Sequence, residues 1–251
     1  MSQGAMFGPE VVRRGGKRRL TDEPVYNRVL GCTACSLSET RQPVPYRGAV
    51  PSRVAIVGEA PGQQEDARGG PFVGPAGQLL QEQLRIHKVI PDRLFWMNVV
   101  SCWPPGTPTK KHVSACSGNA WAQLRLCCPE WVVLVGNVAL EAMAPWILWG
   151  GKVRKITEMR GRVWTWEGMH WYPMIHPAAG LRERKYMTLF QQDVSRLVTM
   201  LRHGPEYSED CLVCGLEVSR YDPTGTPFCK AHDRGVEFEP HKTAIVGQRT
   251  T

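Results

Sequence analysis

The sequence predicts an α/β fold, a three-layer sandwich around a mostly parallel, four-stranded central sheet. Short apolar runs rich in β-branched or aromatic residues alternate with helix-like segments, and Gly, Pro or Asn bounds each run. A chain of 251 residues with 42% hydrophobic content is long enough for one sizeable core plus appendages. No apolar run approaches the roughly 18 residues of a membrane span, so no membrane partner is expected.

The elements follow in chain order. The predicted strands are RVAIVG (53–58), LFWMNVV (94–100), WVVLVG (131–136) and WYPMI (171–175). The predicted helices are GPAGQLLQEQLRIH behind Pro75, SACSGNAWAQLRL with Ser114 as N-cap, NVALEAMA after the third strand, and KYMTLFQQDVSRLVTML. Because sheets of this kind bind ligands beyond the carboxyl ends of their strands, the loops after the strands are the expected site.

The loop GEAPGQQEDARGGPFVG (58–74) leaves the first strand at such a position. Its glycines permit close backbone approach, Glu59 and Glu65 supply carboxylates, and Phe72 offers a flat apolar face. It lacks the Lys-Ser/Thr ending and the glycine spacing of phosphate-binding loops. On composition alone, a plain surface loop explains it as well as a binding loop does.

The charge of the chain indicates an anionic partner. The formal net charge is +8, and the segment VVRRGGKRRL concentrates basic residues near the amino terminus. A nucleic-acid-contacting arm and a solvated tail both explain that segment. The chain opens without a recognisable secretory signal, which favours a cytoplasmic, reducing environment in which cysteines serve as metal ligands more often than as disulfides.

Four cysteines have a spacing suited to an iron–sulfur cluster. Cys32 and Cys35 lie in CTAC, and Cys102 and Cys116 follow much later in the chain. Two close thiolates plus two distant ones fit a four-iron cluster, although four unrelated buried thiols are the alternative. The adjacent Cys127 and Cys128 are interpreted as core or spare thiols.

Several motifs occur in the order found in one enzyme family. GEAPGQQEDARGGPFVGPAGQLL, MNVVSCWPP, LCCPEWVVLVG and MIHPAAGLR resemble the iron–sulfur uracil-DNA glycosylases, usually called family four, from about Cys32 to about Leu201. The resemblance implies that a 4Fe–4S cluster joins the amino-terminal segment to the middle of the chain as a structural staple. The implied ligands are Cys32, Cys35, Cys102 and Cys116.

The resemblance also implies roles for site residues. Phe72 stacks on the flipped base, Asn98 reads its polar edge, and His176 hydrogen-bonds the leaving base. Glu59 and Glu65 are the expected catalytic acids: one orients water or stabilises the cationic sugar and the other walls the pocket near C5 of the base, without the sequence assigning which. The base-binding set also includes Gly58 and Ala60, and the DNA-binding set comprises the wedge Leu181 with Arg182, Arg184 and Lys185.

The carboxyl-terminal part carries a second metal motif. CLVCGLEVSRYDPTGTPFCKAH places two ligand pairs around a turn-rich DPTGTP hairpin. This spacing predicts a small zinc-ribbon-like module in which Zn²⁺ replaces a hydrophobic core. The expected zinc ligands are Cys211, Cys214, Cys229 and His232.

The sequence therefore predicts a monofunctional DNA base glycosylase that acts as a monomer on single- or double-stranded DNA of the nucleoid. Uracil is the expected base, and no Lys in the matched motifs serves as a Schiff-base nucleophile. Two alternatives stay open: a glycosylase of the same fold acting on another base, such as a modified pyrimidine in phage DNA, and a non-catalytic iron–sulfur and zinc DNA-binding protein. The expected organisation is a flexible basic arm (1–24), the glycosylase-like domain (25–203), the zinc-ribbon-like module (204–235) and a tail (236–251).

Overall fold

The computed structural model describes residues 23–144 and 154–205, together with residues 220–221 and 227–228. The basic arm up to residue 22 and most of the segment after residue 205, with all four expected zinc ligands, lie outside the described residues. None of the helices in the described parts is long and apolar enough to cross a membrane.

The central sheet is mixed and contains six strands. Their spatial order is β1-β3-β2-β4-β6-β5, in which β3, β2, β4 and β6 are parallel and the two outer strands are antiparallel. The strands are β1 (Arg47–Gly48), β2 (Val54–Gly58), β3 (Phe95–Asn98), β4 (Trp131–Val135), β5 (Trp164–Trp166) and β6 (Met169–Met174).

The prediction of four strands was wrong in number, although the four predicted runs form the parallel centre. The two additional strands contain only two and three residues, too few for a periodic apolar pattern. β5 joins β6 through Glu167 and Gly168, which both have positive φ angles of 48° and 73°. This pair of φ angles is typical of the tight turn that joins two antiparallel strands.

The described helices surround this sheet. They are α1 (Pro24–Leu30), α2 (Gln63–Arg68), α3 (Pro75–Ile86), α4 (Lys110–Cys127), α5 (Asn137–Met143), α6 (Ile156–Met159), α7 (Pro177–Arg182) and α8 (Arg184–His203). Helix α3 connects β2 to β3, which lies on one side of β2 in the strand order. Helix α4 connects β3 to β4, which lies on the other side of β2. With right-handed crossovers, α3 and α4 therefore lie on opposite faces.

The helix boundaries differ from the prediction at two places. α4 begins before Ser114, because Thr109 is the N-cap and its hydroxyl accepts a hydrogen bond from the His112 amide. α2 lies inside the glycine-rich loop, for which no helix was predicted. The core between the layers is well filled, and its largest fully buried side chains include Trp96, Trp131, Trp164 and Trp171.

Candidate active site

The carboxyl ends of the parallel strands bring the expected site residues to one edge of the sheet. Gly58 ends β2 and pairs in register with Asn98, which ends β3. His176 follows β6 and is the N-cap of α7. Residues far apart in the sequence therefore lie along the same edge of the sheet, as the sequence predicted.

Gly58 packs tightly against the side chains of Asn98 and Phe72. A Cβ atom added to Gly58 would collide with the Asn98 Oδ1 atom and would lie 2.6 Å from Cζ of Phe72. The Asn98 amide and the Phe72 ring therefore lie side by side against Gly58. Asn98 is 5% exposed, so its amide is held inside the protein rather than at its surface.

Phe72 is held in an unusual backbone conformation. Its φ angle of 58° lies in the left-handed region, which non-glycine residues seldom adopt. The carbonyl groups on both sides are bound: Arg47 Nε donates to Pro71 O at 2.6 Å, and Gln81 Nε2 donates to Phe72 O at 2.8 Å. Arg47 also stacks on Trp96, whose ring centre is 5.2 Å from that of Phe72. These contacts fix the direction of the Phe72 ring.

The Glu65 carboxylate holds the glycine-rich loop together. Its Oε1 accepts a hydrogen bond from the Gly74 amide at 2.7 Å, and its Oε2 accepts one from the Gly62 amide at 3.2 Å. Gly74 is the N-cap of α3 and Gly62 is the N-cap of α2. Glu65 therefore links the first turns of both helices. Ala60, near the start of this loop, is half-buried and packs against the core.

The tautomer of His176 is defined by a backbone contact. The Ala178 amide donates to Nδ1 of His176 at 3.1 Å, so the proton of the neutral ring is on Nε2. Burial, and secondarily the charge of Arg182, lowers the pKa of His176 from 6.5 to about 4. His176 is therefore neutral near pH 7 and presents an N–H donor.

Glu59 and Arg182 share this part of the molecule. Burial raises the pKa of the Glu59 carboxyl, and the guanidinium of Arg182 opposes that shift. Arg182 therefore lies within electrostatic range of both Glu59 and His176. The carboxylate is a proton acceptor in a partly desolvated setting.

The short helix α7 and the start of α8 present the residues expected to contact DNA. Leu181 is 52% exposed, one of a few large apolar side chains so exposed among the described residues. Arg182, Arg184 and Lys185 are also exposed. The Nζ of Lys185 forms a 2.8 Å ion pair with the Glu183 carboxylate. This pairing reduces the net positive charge of the surface.

The four expected cluster ligands lie near one another. Cys102 and Cys116 are buried, and Cys32 and Cys35 are half-buried. Burial, and secondarily the three other cysteines, raises the pKa of Cys102 to about 12, so the other three lie within electrostatic range of Cys102. In the described parts of the chain, no group of three or more His, Cys, Asp or Glu is spaced for a metal ion. The ligands of a four-iron cluster lie farther apart than those of a single metal ion, because each thiolate binds a different iron atom.

The other predicted metal site is described only at its centre. Strand β7 (Arg220–Tyr221) pairs antiparallel with β8 (Pro227–Phe228), across the predicted DPTGTP turn.

Cys127 is buried, as expected for a core thiol, and its Sγ donates to the Ser52 carbonyl at 3.5 Å.

The sequence reasoning missed the residues that hold the site from behind. Arg47 belongs to a two-residue strand with no periodic signal. Asp193, which accepts a hydrogen bond from the backbone next to His176, did carry a signal. It is one acid on the apolar stripe of α8, three residues after Phe190 and one before Val194, which marks a buried position.

The carboxyl edge of this sheet carries the Phe72 ring, the buried Asn98 amide and the neutral His176, so the fold and site define an α/β protein with its candidate site at the ends of the parallel strands. The chain belongs to the Uracil DNA glycosylase superfamily, whose family model matches residues 45–198.

Curated relatives refine that placement. The chain is 39% identical over 166 residues to the Type-4 uracil-DNA glycosylase of Thermotoga maritima, covering 64% of this chain and 84% of that protein. It is 34% identical over 180 residues to the Type-4 uracil-DNA glycosylase of Pyrobaculum aerophilum, covering 69% and 91%. For the enzyme of the same name from Sulfurisphaera tokodaii, identity is 29% over 201 residues, covering 77% and 90%. The resemblance to the family-four enzymes is thereby confirmed.

Proposed function

We propose that the protein is a monofunctional uracil-DNA glycosylase, which extrudes uracil from DNA and hydrolyses its bond to deoxyribose to leave an abasic site. The observation that carries this proposal is the juxtaposition of the Asn98 amide and the Phe72 ring, which both pack against Gly58 at the carboxyl ends of the strands. A flat ring beside a group that both donates and accepts hydrogen bonds suits a flipped pyrimidine. The names of the relatives, Type-4 uracil-DNA glycosylases, support uracil as that base.

The neutral His176 suits the departure of the base. When the C1′–N1 bond breaks, its electron pair leaves with uracil and negative charge builds on a carbonyl oxygen of the base. An Nε2–H group aimed at that oxygen stabilises the charge as it develops. The bond from the Ala178 amide to Nδ1 keeps the donor on the required nitrogen.

Glu59 suits the sugar side of the reaction. The deoxyribose becomes oxocarbenium-like as the base leaves, and a nearby carboxylate stabilises that positive charge. Water then bonds to C1′ and gives its proton to a general base. Burial raises the pKa of Glu59, which makes it a better acceptor than an exposed carboxylate. Glu65, whose two oxygens bind backbone amides, suits the role of loop support and pocket wall.

Leu181 is assigned as the wedge that fills the stack after base flipping. Its exposure beside the cationic Arg182 and Arg184 supports this assignment. Phosphate contacts by these arginines and Lys185 would make DNA binding salt-dependent.

Cys32, Cys35, Cys102 and Cys116 are assigned as the ligands of a 4Fe–4S cluster. Such a cluster would crosslink the segment before β1 to the segment after β3 and to α4. Their mutual proximity supports this assignment.

The remaining parts of the proposal concern organisation. Residues 1–24 form a basic arm for DNA, residues 25–203 the catalytic domain, residues 204–235 a zinc-ribbon-like module and residues 236–251 a tail. The β7–β8 pairing supports the module, and zinc analysis of Cys211→Ser protein tests it. The enzyme acts as a monomer on nucleoid DNA in the cytoplasm, and light scattering tests the monomer.

The decisive experiment compares wild-type protein with Asn98→Ala and with Asn27→Ala, a control at an exposed position of α1. End-labelled single- and double-stranded oligonucleotides contain one uracil, one phage-type modified pyrimidine or no modification, and alkali cleaves abasic sites. The proposal expects cleavage only at uracil, lost in Asn98→Ala and retained in Asn27→Ala. Cleavage only at the modified base would overturn the substrate, and DNA binding without cleavage of any substrate would overturn the enzyme.

A further inference from the structure

A buried acid lies behind the site without contributing to its surface. Asp193, in the middle of α8, is 2% exposed. The Ile175 amide donates to its Oδ2 at 2.9 Å. Arg160 binds the same carboxylate through Nη2 at 2.8 Å and through Nε at 3.2 Å, and it also donates to Leu189 O at 2.8 Å. The carboxylate therefore joins three segments: α8, the chain after α6 and the end of β6.

The contact to Ile175 fixes one end of the peptide unit that precedes Ile175. The other end of that unit, the Met174 carbonyl, accepts a hydrogen bond from the Gly136 amide at 3.0 Å. The Met174–Ile175 peptide is thus held on both sides, one residue before His176. Gly136 also contacts the His176 side chain, since a Cβ on Gly136 would lie 3.1 Å from Cβ of His176.

The position of Asp193 is explained by the sheet. β5 pairs with β6 only as far as Trp171, and within residues 23–144 and 154–205 no strand pairs with the outer edge of β6 beyond that residue. The Gly161 amide donates to Pro173 O at 2.9 Å, and Asp193 accepts from Ile175. Beyond the end of β5, these two hydrogen bonds therefore take the place of strand pairing along β6, as far as Ile175, the residue before His176.

A buried ion pair is an expensive way to fill this space. An apolar residue of similar size would pack on the α8 stripe without desolvating a charge, and replacing buried ion pairs by apolar residues is often neutral or stabilising. Directional bonding to one backbone amide is what a carboxylate provides and an apolar side chain lacks.

We infer that Asp193, oriented by Arg160, is a positioning residue for His176: it pins the Met174–Ile175 peptide and so sets where the imidazole Nε2–H points. This inference rests on the proposed role of His176 in base excision. A displacement of about 1 Å at a reacting group lowers rates by up to about 100-fold. Loss of Asp193 therefore acts on the chemical step more than on DNA affinity.

The first test uses single-turnover kinetics on uracil-containing DNA. Asp193→Ala is expected to lower the rate by about 10- to 100-fold while changing the DNA Kd by less than about twofold. Asp193→Asn keeps an oxygen acceptor for the Ile175 amide and is expected to recover most of the rate. Tyr172→Phe is the matched control, because the Tyr172 hydroxyl donates to the main-chain oxygen of Asp193 at 2.8 Å and does not contact the carboxylate.

The second test asks whether the effect passes through His176. In a His176→Ala background, Asp193→Ala is expected to change the rate by less than about twofold, because the group it positions is already gone. An equal loss in both backgrounds would overturn the inference, as would a Tyr172→Phe effect as large as that of Asp193→Ala. If Asp193→Ala fails to fold, Arg160→Gln carries the same comparison.

A third test does not depend on turnover. The ¹⁵N signals of the His176 ring in wild-type protein are expected to show a single tautomer with the proton on Nε2. In Asp193→Ala, exchange between ring environments is expected, with restoration in Asp193→Asn. Identical ring signals in wild type and Asp193→Ala would overturn the positioning role. An inactive wild type with the expected spectral change would instead overturn the proposed function alone.

Discussion

Replacement of Gly58 by Ala adds one methyl group at the point where Asn98 and Phe72 pack against the backbone. The new Cβ would lie 2.6 Å from Phe72 Cζ and closer still to Asn98 Oδ1. Favourable contacts between carbon atoms lie at about 3.5–4.0 Å, so the ring must move by about 1 Å, and the amide must move as well. Both displaced groups are those assigned to hold the base.

The change is expected to lower both the activity and the stability of the protein. A 1 Å displacement lowers the rate by about 100-fold, and overpacking of this kind costs about 1–3 kcal/mol in the free energy of unfolding. Single-turnover excision of uracil and thermal unfolding measure the two effects separately. Because Gly58 has no positive φ, the added volume alone is tested.

Gly118→Ala is the matched control for this change. Gly118 lies in α4, where an added Cβ meets no atom within 4 Å. Alanine is favoured over glycine in a helix by about 1 kcal/mol, so this variant is expected to be at least as stable as wild type and equally active. Wild-type activity in Gly58→Ala would refute the placement of the base above Gly58.

Three further predictions concern the surroundings of the pocket. Arg47→Met removes the bond to the carbonyl preceding Phe72, so substrate affinity is expected to fall about tenfold, measured by titration with uracil-containing DNA; unchanged affinity would contradict the role of Arg47. Glu65→Gln leaves one of two backbone amides without an oxygen acceptor and is expected to cost about 1–3 kcal/mol in urea unfolding, whereas an equally stable variant would show that the loop does not need both bonds. As the pH is lowered from 6.5 to about 4, the unfolded chain takes up a proton at His176 that the folded protein excludes. The free energy of unfolding therefore decreases as the pH falls, by up to about 3 kcal/mol. His176→Gln is expected to lose that part of the pH dependence, and an unaltered slope would contradict the lowered pKa.

The sequence predicts best where its patterns are long. The apolar runs that became β2, β3, β4 and β6 lie at the centre of the sheet, where burial on both faces makes them nearly continuous. β1 and β5 are edge strands of two and three residues, and their pairing depends on neighbours that local sequence does not specify.

The site shows the same division. Gly58, Asn98 and His176 were expected at one sheet edge because each lies near or just after the carboxyl end of a predicted strand. The bonds that hold Phe72 could not be anticipated, since Arg47 and Gln81 reach it across the fold. The two backbone contacts of Glu65 likewise depend on how α2 and α3 meet, which residue types alone do not define.

The most direct measurement is the release of free uracil from uracil-containing DNA, detected by mass spectrometry in parallel with strand integrity. Wild-type protein is expected to release stoichiometric uracil and to leave a DNA strand that stays intact until alkali is added, and Asn98→Ala is expected to lose both products. Absence of free uracil while the protein still binds DNA, or strand breakage without alkali, would contradict a monofunctional uracil-DNA glycosylase.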